Sequence, residues 1–95
     1  MFALDSSSIR SLIKQVEPYY PRLAEKASIS GVVDLHLFID WTGKVVGVKV
    51  RSGHPLLYEA AISTVKQWKY KPFVRNHQPV NVTTNAKVSF ILNRS

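Results

Sequence analysis

The chain contains no cysteine, which excludes disulfides and thiolate metal sites but leaves the compartment open, since an oxidising space tolerates a cysteine-free chain. Acids are also scarce, six against thirteen Lys and Arg. Only Asp34 and Asp40 fall on one predicted strand face. They stand roughly 20 Å apart along it, too far to share a proton or to flank a glycosidic bond. His36 shares that face, so an Asp–His pairing is conceivable, yet no nucleophile stands near it in sequence. The three histidines, His36, His54 and His77, fall on a strand, a helix start and a loop, and no pair has the i, i+4 spacing of a helical metal site. The glycines at 31, 43, 47 and 53 are isolated, so there is no phosphate cradle. No apolar run approaches the roughly 18–20 residues that span a bilayer. The opening Met1-Phe2-Ala3-Leu4-Asp5-Ser6 is too short and too polar for a signal peptide. The expectation is a soluble chain with no catalytic residues, no metal and no cofactor.

What remains is enough for one modest core. Ninety-five residues, 45% hydrophobic and 20% charged, make one globular domain. The net charge of +7 is unevenly placed: from Lys44 to Arg75 the bases Lys44, Lys49, Arg51, Lys66, Lys69, Lys71 and Arg75 face Glu59 alone. Such a field suits an acidic partner, a nucleic acid or an anionic membrane, or simply keeps the domain soluble.

Ser6, Ser7 and Ser8 precede Ile9, Leu12, Ile13 and Val16 at i, i+3, i+4, i+7, which predicts a capped amphipathic helix ended by Pro18. Residues 1–18 are read as this helix and 19–95 as the main domain. Pro21 opens a second short helix through about Ala27. From Gly31 the period changes to two: Val33, Leu35, Leu37, Ile39 and Trp41 share one face, with Val32, Asp34, His36, Phe38 and Asp40 on the other. Trp41-Thr42-Gly43 supplies a turn, and Val46, Val48 and Val50 line one face of a returning strand, with Lys49 and Arg51 opposite. Ser52-Gly53-His54-Pro55 opens a third helix, whose stripe is Leu57, Ala60, Ala61, Val65 and Trp68. After Pro72 comes a polar loop containing Asn76-His77-Gln78-Pro79. A last strand then runs from Val80 to Leu92, with Val80, Val82, Thr84, Ala86, Val88, Phe90 and Leu92 on its dry face.

The predicted fold class is α+β: a three-stranded antiparallel or mixed sheet in order 2-1-3, helices on one face, and the extra N-terminal helix. The last strand is left at an edge. Trp68 falls on its helix's apolar stripe, and the strands lack an exposed aromatic pair, which argues against nucleic-acid stacking.

Tyr20-Pro21, Ile29-Ser30-Gly31, Asp40 with Gly43, Ser52-Gly53-His54-Pro55-Leu56-Leu57, Ala60-Ala61, Trp68-Lys69-Tyr70-Lys71-Pro72 and Val88-Ser89-Phe90 follow one another in an order and spacing that resembles the C-terminal domain of TonB-type energy transducers. The resemblance covers about Tyr19 to Leu92, and Trp-basic-Tyr-x-Pro after a Gly-His-Pro-Leu helix start is its specific part.

The resemblance implies a periplasmic domain tethered to the inner membrane. It would grip the N-terminal segment of an outer-membrane transporter by strand addition, so that the proton gradient can drive uptake. The contact edge it implies is Asn81, Val82, Thr83, Thr84, Asn85, Ala86, Lys87, Val88 and Ser89, with Glu17, Pro18 and Tyr19 as a second contact. Tyr20, Pro21, Trp68, Tyr70 and Pro72 are expected to form a structural core. Inner-membrane motor proteins would be reached only through an anchor absent from this sequence. Two alternatives stand beside it: an assembly module in which the same edge strand makes a homodimer, and a basic nucleic-acid binder.

Overall fold

The computed structural model describes residues 2–3 and 12–92. Its elements are β1 (Phe2–Ala3), β2 (Leu12–Lys14), α1 (Arg22–Lys26), β3 (Gly31–Ile39), β4 (Val45–Ser52), α2 (Pro55–Lys66), β5 (Lys69–Tyr70), β6 (Phe73–Arg75), β7 (Gln78–Val80) and β8 (Val82–Phe90). The fold is α+β, with helices packed against a mixed sheet. That sheet has four strands in the order β1-β8-β3-β4, and β2-β5 and β6-β7 form two separate ribbons. The expected three-stranded sheet is thus extended outside the last strand by Phe2–Ala3, which pairs parallel to β8.

Alternation sets the core. Val33, Leu35, Leu37 and Ile39 of β3 are fully buried. Val82, Val88 and Phe90 of β8 join them beneath Leu57, Ala60, Ala61 and Val65 of α2. Each aliphatic side chain removed from water here contributes about 1.5–3 kcal/mol. Helix α2 starts where the sequence asks: His54 Nδ1 accepts from the Leu56 N–H at 3.1 Å, and Pro55 needs no N–H partner. It stops at the Gln67 cap. Thr64 is buried on the same stripe because its hydroxyl donates to the Ala60 carbonyl at 2.7 Å.

Several expectations are corrected. Leu12–Lys14 is a strand rather than helix: Leu12 lies opposite Tyr70 and Lys14 opposite Lys69. A ribbon partner more than fifty residues away has overridden a genuine helical period. Phe2–Ala3 is also strand and residues 15–18 are irregular, while residues 4–11 of the expected helix lie outside the described residues. Trp41 is 59% exposed, because β3 ends at Ile39 and Asp40 turns the chain. The Asp40 carboxylate Oδ1 accepts from the Thr42 N–H at 2.9 Å, the Thr42 hydroxyl at 2.5 Å and the Lys44 N–H at 3.1 Å. The Thr42 hydroxyl above all, with the two backbone N–H groups and the Lys44 charge behind it, holds that carboxyl below its ordinary pKa.

On β4 the inward residue is Val45, and Val46 is 55% exposed. The register jumps from Phe38↔Gly47 to Ile39↔Val45, so Val46 is the extra residue of a bulge and everything before it changes face. The expected polar loop after Pro72 is a hairpin, β6–β7, turned by Asn76 and His77 at φ 53° and 67°. Both central residues at positive φ match a type I′ turn. The final run is also broken: Val80 pairs with Phe73 and Val82 with Ile39, and Asn81 carries the chain from ribbon to sheet.

Tyr20 fixes the entry to the domain. Its hydroxyl donates to the Ile29 carbonyl, and its ring meets Phe90 edge-on at 5.7 Å. Tyr20→Phe keeps the ring and removes the donor, so urea unfolding should find a loss of about 1 kcal/mol. A loss of about 3 kcal/mol would mean that the ring packing depends on the hydroxyl too.

Candidate functional site

Strand β8 owes its position to its own alternation. Val82, Thr84, Val88 and Phe90 are buried, and Asn85, Lys87 and Ser89 are exposed. One edge pairs with β3 through an unbroken register of nine residue pairs, Ile39↔Val82 to Gly31↔Phe90. On the other edge, Phe2↔Val82 and Ala3↔Thr83 occupy the start. Beyond Thr83 that edge carries no strand among the described residues.

The opposite edge of the sheet differs. β4 breaks register twice, at Phe38/Ile39 and at Asp34/Leu35, and exposes Lys49 and Arg51. Bulges and cationic side chains are how sheet edges are kept from pairing. β8 has neither bulge nor break, and Lys87 is its one charged residue.

The expected site residues separate into groups. Asn85, Ala86, Lys87, Val88 and Ser89 lie where no strand among the described residues flanks β8 on its outer side, Thr84 precedes them, Val82 and Thr83 face β1, and Asn81 sits exposed before the strand. Glu17 and Tyr19 are exposed and Pro18 is half-buried. The Tyr20–Phe90 contact brings this approach to the far end of β8. Trp68 and Tyr70 are buried, while Tyr20 and Pro21 are half-buried. Pro72 is exposed, a correction to its place among the core residues: its ring cannot continue β5, and that breaking needs no burial. Burial pushes the Tyr70 phenol up to about 12, so it stays neutral.

Sequence reasoning missed a groove of about 360 Å³ at that same end, lined by Ser30, Gly31, Val32, Ser89, Phe90, Ile91 and Leu92. Exposed Val32 and Ile91 at neighbouring strand ends were its only signal. On the open face of the sheet His36 Nδ1–H donates to Asn85 Oδ1 at 2.7 Å. The cross-strand neighbour takes the place of the conceivable Asp34 partner, because directly opposed residues are closer than residues two apart along one strand. Asp34 keeps one buried oxygen without a partner. No group of three metal-ligating side chains exists among the described residues, and no helix there is long and apolar enough to cross a membrane.

The profile of the family described as Gram-negative bacterial TonB protein C-terminal matches residues 16–92. Protein TonB of Vibrio cholerae serotype O1 is 32% identical over 80 residues, covering 82% of this chain and 33% of that protein. The chain thus spans about a third of the length of that curated relative. The solution NMR structure of the Pseudomonas aeruginosa TonB CTD superposes with a TM-score of 0.72 at 20% identity, covering 88% of this chain and 87% of that one. It establishes the likeness of fold. With the profile running from the segment that Trp68 holds to the end of the described chain, the protein belongs to the TonB C-terminal domain family.

Proposed function

We propose that this chain is the periplasmic grip of a TonB-type energy transducer, an adaptor and not an enzyme, which adds the N-terminal segment of an outer-membrane transporter as a strand along β8. The observation that carries the reading is the inequality of the two sheet edges. β4 is bulged twice and charged, whereas β8 is unbroken in register and, beyond the two residues paired with β1, flanked by no outer strand among the described residues. Uncovered regular edges are templates for another strand. Glu17 to Tyr19 and the groove at Phe90 lie where such a strand would end, and exposed Ile91 offers an apolar contact there. The proton gradient would act through other parts of such a protein, tethered to the inner membrane, with the motor proteins engaged there.

A partner segment of six or seven residues makes several main-chain hydrogen bonds of about 1 kcal/mol net each. Set against the ordering of a flexible peptide, the expected affinity is micromolar, about 8 kcal/mol. The test is amide exchange with and without the N-terminal peptide of a transporter from the same organism. Protection on alternate amides between Asn85 and Ser89 is expected. Because the chain has no cysteine, Ser89→Cys offers a second readout: disulfides to a cysteine walked along the peptide should recur at every second position. Protection confined to Lys66–Arg75, or cross-links formed as readily by Lys49→Cys on β4, would sink the reading. Peptide-independent doubling of the mass would favour instead a homodimer through the same edge.

A further inference from the structure

The register of the small ribbon aligns three lysines that sequence spacing alone does not bring together. Lys14 lies opposite Lys69 in β2·β5, and Lys69 is bridged on its other side by Lys44 at the end of the β3–β4 turn. Residues directly opposed on neighbouring strands point to one face, with Cβ atoms about 4.5–5.5 Å apart. Three lysines, drawn from positions 14, 44 and 69, therefore stand in a single row, and all three are exposed. The Lys44 charge is felt by the nearby Asp40 carboxylate, whose pKa it helps to lower. Its Oδ1 already accepts from Thr42 and from the Lys44 backbone. Like charges directly opposed destabilise a sheet, so the row holds a concentrated positive field at a cost to the fold.

We propose that this row is a docking face for an anionic bilayer surface, its ammonium groups contacting lipid phosphates. Compact ammonium charges suit phosphate oxygens, and the neighbours of the row decide between possible anions. Ile13, adjoining Lys14, is 56% exposed, and Trp41, three residues before Lys44 in the same turn, is 59% exposed. A free phosphate or an acidic peptide offers these side chains little. A bilayer interface takes both the tryptophan and the aliphatic side chain while the lysines meet the headgroups. The proposal does not depend on which strand β8 receives.

The test is partition of the full chain onto vesicles of phosphatidylcholine, with and without about a third phosphatidylglycerol, at low and at moderate salt. Binding to the anionic vesicles alone, weakened by salt, is expected. Each lysine at the surface is worth about a five-fold change in partition, so Lys44→Gln with Lys69→Gln should lower it about 25-fold. The charge-keeping pair Lys44→Arg with Lys69→Arg should retain it. Urea midpoints of the glutamine pair should be unchanged or higher, because repulsion is relieved, which separates lost binding from lost folding. The chain has two tryptophans and Trp68 is buried, so a vesicle-induced blue shift in emission should vanish in Trp41→Phe. Equal loss from Lys49→Gln with Arg51→Gln, which removes the same charge from β4, would overturn the proposal. So would equal binding to neutral vesicles, or a polyglutamate peptide or inorganic phosphate that binds the same lysines more tightly than the vesicles do.

Discussion

Replacing Trp68 by alanine should remove about 3–5 kcal/mol from a domain whose whole stability is about 5–15 kcal/mol. The ring is only 5% exposed, and it sits just past α2, where its own N–H closes on the Val65 carbonyl at 3.1 Å. Its indole Nε1–H donates to the Val16 carbonyl at 3.2 Å. The substitution therefore opens a cavity and leaves a carbonyl at the domain entrance without its donor. Urea unfolding of both proteins measures the loss. A value below about 1 kcal/mol would mean that the ring does not anchor the core.

Gly43→Ala should be nearly as damaging, by a different route. Gly43 has φ +91°, and a Cβ placed there would lie 1.9 Å from the Tyr70 carbonyl oxygen and 2.9 Å from its carbon. The obstacle is backbone, which cannot rotate aside. The Tyr70 N–H also donates to the Gly43 carbonyl at 2.9 Å, so moving either chain breaks the clasp between the β3–β4 turn and β5. Strain of about 1–3 kcal/mol and a lost hydrogen bond of about 1 kcal/mol add to about 3 kcal/mol. Gly47→Ala is the comparison: its Cβ would meet the Phe38 side chain at 3.2 Å, and side chains give way, so the loss should stay below about 1 kcal/mol. Equal losses from the two substitutions would show that backbone collision is not the cause.

The parts of this fold legible in the sequence are those governed by local period. Nine residues of alternation in Gly31–Ile39 and again in Val82–Phe90 leave little choice of face, and Pro55 after His54 marks a helix start by chemistry alone. The illegible parts depend on partners distant along the chain. Leu12, Ile13 and Val16 fit a helix by spacing, and only the Tyr70 and Lys69 backbone turns Leu12–Lys14 into a strand. Val45 and Val46 are interchangeable to any pattern, and the bulge opposite Phe38 and Ile39 decides which one is inside. The place of β8 beside β3 follows from connection rules, but the expectation that it would be the edge strand does not hold. That Phe2–Ala3 would pair with its beginning could not be anticipated, since two residues carry no period. The lysine row is the extreme case, three residues from three segments aligned by register alone.

The ribbon also has a mechanical meaning. Tension on the chain ahead of Val16 meets β2 early, and among the described residues β2 is held to β5 by two residue pairs, Leu12↔Tyr70 and Lys14↔Lys69. Such a short pairing gives way at low force, and each freed residue lengthens the extended segment by roughly 3.3 Å. β3 and β8 share nine pairs, and a load along their common axis strains all of them together. The leader would therefore spool out as slack before the plate behind it began to slip.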